Sequence, residues 1–178
     1  MTSRSRNRYA EILRKEGQRP AAMLSYLAFL LRESNTKRSA AAVAGLINSM
    51  QAPKAGDPAP VVVTALGDDV SKGLTGLQFA HVVAKLTRTE DDKLQEPLGE
   101  NIASALARYI ALASNIEFED TSDPIADVIL PSVTRITQAN VAQEMAWFVV
   151  SLARVPGASE WLEANPQARE RLAEVLGP

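Results

Sequence analysis

The sequence predicts an all-α fold, arranged as an irregular bundle of eight or nine helices. Apolar residues recur every three or four positions through most of the 178 residues, which is the period of a helix that buries one face. Prolines and capping side chains stand where these segments begin, and helices accept them there. The β-branched run at residues 61–66 (VVVTAL) is short and has no partner strand, so we expect a helix or an extended connection there.

The expected helices follow one another along the chain. Tyr9, Ile12 and Leu13 give the first helix its apolar stripe, and the second helix is apolar on nearly every side, which indicates burial. The third helix has an apolar face and an opposite face rich in Ala and Ser, small enough for close helix contact. The expected ranges are residues 5–16, 21–33, 36–50, 75–88, 97–114, 123–130, 137 or 140 to 155, and 166–176.

Capping residues and prolines set several boundaries. Asp123 precedes a proline, a combination typical of a helix N-terminus. Pro131 should kink or end that helix, because proline lacks the N–H that a helix interior needs. Ser159 is expected to cap a short turn near the C-terminus. Residues 141–155 (VAQEMAWFVVSLARV) are apolar almost all round, so we expect them to form the central core helix.

A proline-rich segment divides the chain. Residues 52–60 (APKAGDPAP) contain three prolines and a glycine, which indicates a linker. It separates a basic three-helix unit, residues 1–51, from an acidic helical body, residues 61–178, and we expect the two to pack as one domain. No repeat of 33–47 residues holds in register, so a short HEAT-like stack of helical hairpins is the second choice of architecture.

The composition excludes several kinds of chemistry. The sequence has no cysteine, which rules out disulfide scaffolds, cysteine-ligated zinc, iron–sulfur clusters and thiol nucleophiles. The single histidine, His81, cannot form a multi-histidine metal site, and its apolar neighbours argue against a catalytic base. Glycine-rich phosphate loops and the common zinc and calcium motifs are missing. We therefore expect no catalytic residue, metal or cofactor, and we rank a hydrolase with a carboxylate or metal site third.

Charge is unevenly distributed along the chain. Residues 1–38 have a formal charge of +6, whereas residues 39–178 have a formal charge of −8. This asymmetry favours docking to an acidic protein surface, self-association of the basic region with the acidic body, or a polyanion partner. We first expect a non-catalytic interaction or adaptor protein that docks to a partner chain, forms a homo-oligomer or joins a larger complex. The candidate binding residues are Arg4, Arg6, Arg8, Lys37 and Arg38.

An acidic segment gives a second candidate surface. Glu117, Glu119 and Asp120 lie together in an expected connection between helices. Carboxylates at such spacing can bind hard cations, but a solvated docking patch is the simpler interpretation. Trp147 and Trp161 are expected in the core, and either one would indicate a protein interface if it were exposed beside this patch.

Nucleic-acid binding is the alternative function. The third helix begins Thr36-Lys37-Arg38-Ser39, which is polar and rich in hydrogen-bond donors, like the start of a recognition helix. Arg4, Arg6 and Arg8 could then bind phosphates as a basic arm. The second helix argues against this function, because it is too apolar to lie exposed across a DNA backbone.

No apolar segment approaches the roughly 20 residues that cross a bilayer. The longest candidate, residues 21–31 (AAMLSYLAFLL), has eleven residues between charged flanks, which favours a buried helix over a cleaved signal. We therefore expect a cytoplasmic protein with no membrane partner.

Overall fold

The computed structural model describes residues 2–33, 36–50, 72–86 and 98–176, which contain nine α-helices. No β-strand occurs within these ranges, where the only strand-like pairing is an isolated bridge between Lys72 and Glu117. The predicted all-α bundle is therefore confirmed. The helices are α1 (Ser3–Lys15), α2 (Arg19–Leu30), α3 (Lys37–Met50), α4 (Gly73–Leu86), α5 (Leu98–Ala113), α6 (Leu130–Gln138), α7 (Ala142–Leu152), α8 (Ala158–Ala164) and α9 (Pro166–Leu176).

Helix α2 is the most enclosed of the described helices. Every residue from Pro20 to Leu30 is buried, as its all-round apolar pattern predicts. It contacts α1, α3, α4 and α6. Helix α7, predicted as the central helix, is also largely buried, but its C-terminal residues Ser151 and Leu152 are only half-buried. The central position therefore belongs to α2.

The core joins the N-terminal unit to the helices that follow it. A single cluster of buried residues draws on α1, α2 and α3 as well as on the later helices. The Tyr109 hydroxyl in α5 donates a hydrogen bond of 2.8 Å to the carbonyl of Pro20, at the start of α2. The expected linker at residues 52–60, the β-branched run at 61–66 and the polar stretch at 87–95 lie outside the described residues.

The helix break expected at Pro131 takes a different form. Asp123 accepts a hydrogen bond from the N–H of Ile125 at 2.7 Å, and residues Ile125–Ile129 form a π-helical turn. The N–H of Leu130 donates to Ile125 O, five residues back, and Pro131 then lies in the first turn of α6. Because N–H groups in a first turn have no partner within the helix, proline is tolerated there. The chain therefore changes from π-helix to α-helix instead of ending.

The predicted cap at Ser159 is wrong. Gly157 is the N-cap of α8, with a φ of 86° that glycine adopts without steric cost. Ser159 lies two residues further on, in the first turn of α8, and is exposed. None of the described helices is both long enough and apolar enough to span a membrane.

Candidate partner-binding groove

The predicted basic residues of α1 have different surroundings. Arg8 is exposed, whereas Arg6 is 4% exposed and donates from Nη1 to the carbonyl of Ala28 at 3.3 Å. This carbonyl lies in the last turn of α2, where the helix dipole favours a positive charge. Burial, together with the nearby charge of Arg32, lowers the pKa of Arg6. Arg6 therefore stabilises the end of α2 from within the bundle. The side chain of Arg4 lies outside the described residues.

The polar start of α3 is largely engaged in capping the helix. The Thr36 hydroxyl accepts a hydrogen bond from the N–H of Ser39 at 3.2 Å, and the Ser39 hydroxyl donates to Glu33 O at 2.8 Å. Arg38 is exposed but forms an ion pair of 2.8 Å with Glu33. Lys37 is exposed. Ser39, the last residue of the segment compared with the start of a recognition helix, is buried.

The predicted acidic patch is exposed, and two of its residues contact the start of α4. Glu119 pairs with Lys72 at 3.1 Å, and the carbonyl of Glu117 accepts from the N–H of Gly73 at 2.7 Å. Asp120 accepts hydrogen bonds from the hydroxyl and the backbone N–H of Ser122, which lower the pKa of Asp120. In the ranges that the structure covers, no three acidic or histidine side chains converge in a way that could hold a metal.

His81 lies beside the core. Its ring is half-buried and meets the ring of Tyr109 edge-on, with centroids 5.6 Å apart and planes at 87°. This contact places His81 against a fully buried tyrosine, whose hydroxyl is already bound to Pro20. The arrangement gives His81 a packing role.

A groove lies between α3 and the end of α7. We call it the α3–α7 groove, and its volume is about 690 Å³. Ala40 and Ala44 are exposed on its α3 wall, with Ile47 half-buried beside them. The lining residues are Thr36, Ser39, Ala40, Val43, Ala44, Ile47, Asn48, Ser151, Leu152, Ala153, Arg154 and Val155. The lining is thus mainly apolar, with a few polar side chains among the apolar ones.

Sequence reasoning did not identify this groove. Its two walls come from segments about a hundred positions apart in the chain, so the pattern of either helix alone cannot reveal it. The available signal was the Ala- and Ser-rich face of residues 36–50. That face predicts close contact with another helix. In the structure Ala40 and Ala44 of this face are exposed, and no described helix covers them.

Arg154 lies at the edge of the groove in an unusual backbone conformation. It is exposed, has a φ of 54°, and directly follows Ala153, the C-cap of α7. The other described non-glycine residue with positive φ is Asn140, after α6. The N–H of Arg154 donates to Ser151 O at 2.9 Å and the N–H of Val155 donates to Val150 O at 3.4 Å, so Arg154 occupies the left-handed position that commonly follows a helix C-terminus. Glycine is the usual residue at this position, because a β-carbon makes the left-handed region costly.

The two tryptophans form a second feature. Trp147 and Trp161 stack with centroids 5.0 Å apart and planes at 9°. Trp147 is buried and Trp161 is half-buried. Trp161 also borders a polar cleft of about 480 Å³, where Glu144 and Arg171 form an ion pair.

Comparisons with models of protein families, with curated proteins and with solved structures found no match.

Proposed function

We propose that this protein is a non-catalytic helical interaction module that binds a partner protein chain in the α3–α7 groove. The observation that carries the proposal is the exposed apolar wall of α3, where Ala40 and Ala44 border a cavity of about 690 Å³. Small side chains at these positions allow another backbone to approach closely.

The composition of the groove supports a protein partner. Protein interfaces combine an apolar centre with a polar rim. Here Val43, Ile47 and Leu152 supply the apolar centre, and Asn48 and Arg154 supply part of the rim. A cavity of this size also has room for several side chains of a partner.

Nucleic-acid binding is the second proposal and has weaker support. Of its five candidate residues, Arg6 donates within the bundle and Arg38 pairs with Glu33. Of the candidates whose side chains the structure describes, Arg8 and Lys37 are exposed, and two cations give a small basic footprint for a polyanion. We place the protein in the cytoplasm, since a chain without cysteine suits a reducing compartment.

A site-specific photo-crosslinker tests the first proposal. Placed at Ala44 in the full chain, it should give a discrete adduct with one protein chain in native cells. The matched control carries the crosslinker at Ala173, which is exposed on α9 and outside the groove. The same adducts from both positions would contradict a groove-specific partner, and adducts with nucleic acid alone would favour the second proposal.

A further inference from the structure

We infer that the occupant of the α3–α7 groove is an acidic amphipathic helix of a partner protein. This inference rests on the proposed function, and it adds both the shape and the charge of the partner.

The wall of α3 has the form of a helix-binding surface. Its lining residues extend from Thr36 to Asn48, which at 1.5 Å per residue is a length of about 18 Å. Ala40, Val43, Ala44 and Ile47 recur at spacings of three and four along this length. A partner helix with apolar residues at the same spacings can place its ridge between these side chains. About three helical turns of the partner would fill the groove.

The charged residues beside the groove indicate the charge of the partner. Among the lining residues that the structure describes, Arg154 is the charged one, and none is acidic. Lys37 is exposed and follows Thr36, which lines the groove. The Thr36 hydroxyl donates to Glu33 at 2.8 Å, and this carboxylate is paired with Arg38. An occupant with carboxylates beside its apolar stripe would pair with these cations, whereas a basic helix would be repelled by them. The groove therefore favours an acidic helix.

A peptide-display selection with the full chain as bait tests the inference. The library should contain amphipathic helical peptides of about twelve residues with acidic, neutral and basic polar faces. We expect enrichment of acidic peptides with apolar residues at i, i+3, i+4 and i+7. Enriched peptides are then labelled, and their affinity is measured by fluorescence anisotropy at low and high salt, where high salt should weaken binding.

Variants of the bait assign the binding to the groove and to its charge. Arg154→Glu should weaken the acidic peptides about three- to tenfold, since it replaces an attraction at the surface with a repulsion. Arg154→Gly removes the charge with a residue that suits the backbone, and it should also weaken binding. The control Arg169→Glu, at an exposed position of α9 outside the groove, should leave the affinity unchanged.

The possible outcomes separate the inference from the proposed function. Suppose that neutral or basic peptides are enriched and that the Ala44→Glu variant no longer binds them. This outcome would overturn the preference for acidic peptides, and the groove would remain the binding site. Acidic peptides that bind Ala44→Glu as well as the native chain would overturn the groove itself. Adducts from Ala44 to a second copy of this chain, or within one chain, would overturn the inference of a separate partner.

Discussion

Gly45 of α3 packs directly against the phenol ring of Tyr26 in α2, and a β-carbon at Gly45 would lie 2.4 Å from Cζ of that ring. Tyr26 is fully buried. Its hydroxyl donates to Oε1 of Glu11 in α1 at 2.5 Å, and Oε2 of Glu11 accepts from Arg14 at 3.3 Å. One side chain thus joins three helices, and this junction positions the α3 wall of the groove.

The contact predicts that Gly45→Ala destabilises the protein. In an unconstrained helix, replacing glycine with alanine is favourable by up to about 1 kcal/mol. Here the added methyl group must displace a buried ring, so we expect the free energy of unfolding to fall by about 1–3 kcal/mol. Urea unfolding followed by circular dichroism measures this change.

A substitution at an exposed position of α3 provides the control. Ala41→Leu adds a larger side chain to the same helix, where position 41 is exposed, and should change stability by no more than about 0.5 kcal/mol. A Gly45→Ala protein as stable as the native chain would show that the Tyr26 ring can move aside.

The tyrosines predict a loss of stability at alkaline pH. Burial is the main cause that raises the pKa of Tyr26 and of Tyr109 above the ordinary value of 10.0, and the hydrogen bond to Glu11 raises the pKa of Tyr26 further. Because the unfolded chain loses these protons first, the stabilisation is complete below pH 10 and decreases as the pH rises above it.

Phenylalanine variants measure how much each tyrosine contributes to the loss of stability at alkaline pH. Tyr26→Phe and Tyr109→Phe should each reduce the slope of unfolding free energy against pH above pH 10, because each removes a proton that only the unfolded state releases readily. Phenolate absorbance of the folded protein provides a direct measurement. Titration of all three tyrosines near pH 10 in the folded state would show that the interior is open to solvent.

The sequence was sufficient to predict the helices, because each has its own apolar period and its own caps. Helix α2 shows this most clearly, since its all-round apolar composition predicts burial and the structure buries Pro20 to Leu30 without interruption. The π-turn at Ile125–Ile129 was not predicted, because its wider hydrogen bonding produces no distinct residue pattern. The same holds for Gly157, whose left-handed φ places the cap two residues before the expected serine.

The candidate site was much less predictable than the helices. The charge distribution of the sequence placed Arg6 and Arg8 in the same basic binding region. Only the packing of α1 on α2 shows that Arg6 faces inward while Arg8 faces solvent. Similarly, the α3–α7 groove depends on how two distant helices approach each other. The apolar pattern of α3 indicates that one face of this helix is covered. It does not specify which helix or partner covers that face.

Arg6 and Arg8 should differ in their effect on stability. Arg6→Ala removes a buried guanidinium that binds the Ala28 carbonyl at the end of α2, so we expect a loss of about 1–2 kcal/mol. Arg8→Ala is the matched control at an exposed position of the same helix, and its effect should stay within about 0.5 kcal/mol. Thermal unfolding of both variants measures the difference. Equal effects would mean that Arg6 is not a structural residue.

The backbone of Arg154 predicts opposite effects on stability and on binding. Glycine adopts a φ near 54° without the steric cost that arginine bears, so Arg154→Gly should raise the free energy of unfolding by up to about 1 kcal/mol. The same substitution removes the charge at the rim of the groove and should weaken partner binding. Asn140→Gly is the control, since asparagine already tolerates this conformation and position 140 lies outside the groove.

Paired measurements on Arg154→Gly decide between a structural and a binding role. Chemical denaturation gives the change in stability, and anisotropy with a groove-binding peptide gives the change in affinity. If the variant is more stable and binds more weakly, the arginine is retained for its charge, because a purely structural role would favour glycine at this position. If the Arg154→Gly variant is more stable and binds the peptide equally well, Arg154 does not contribute to binding. Other residues of the groove must then bind the partner.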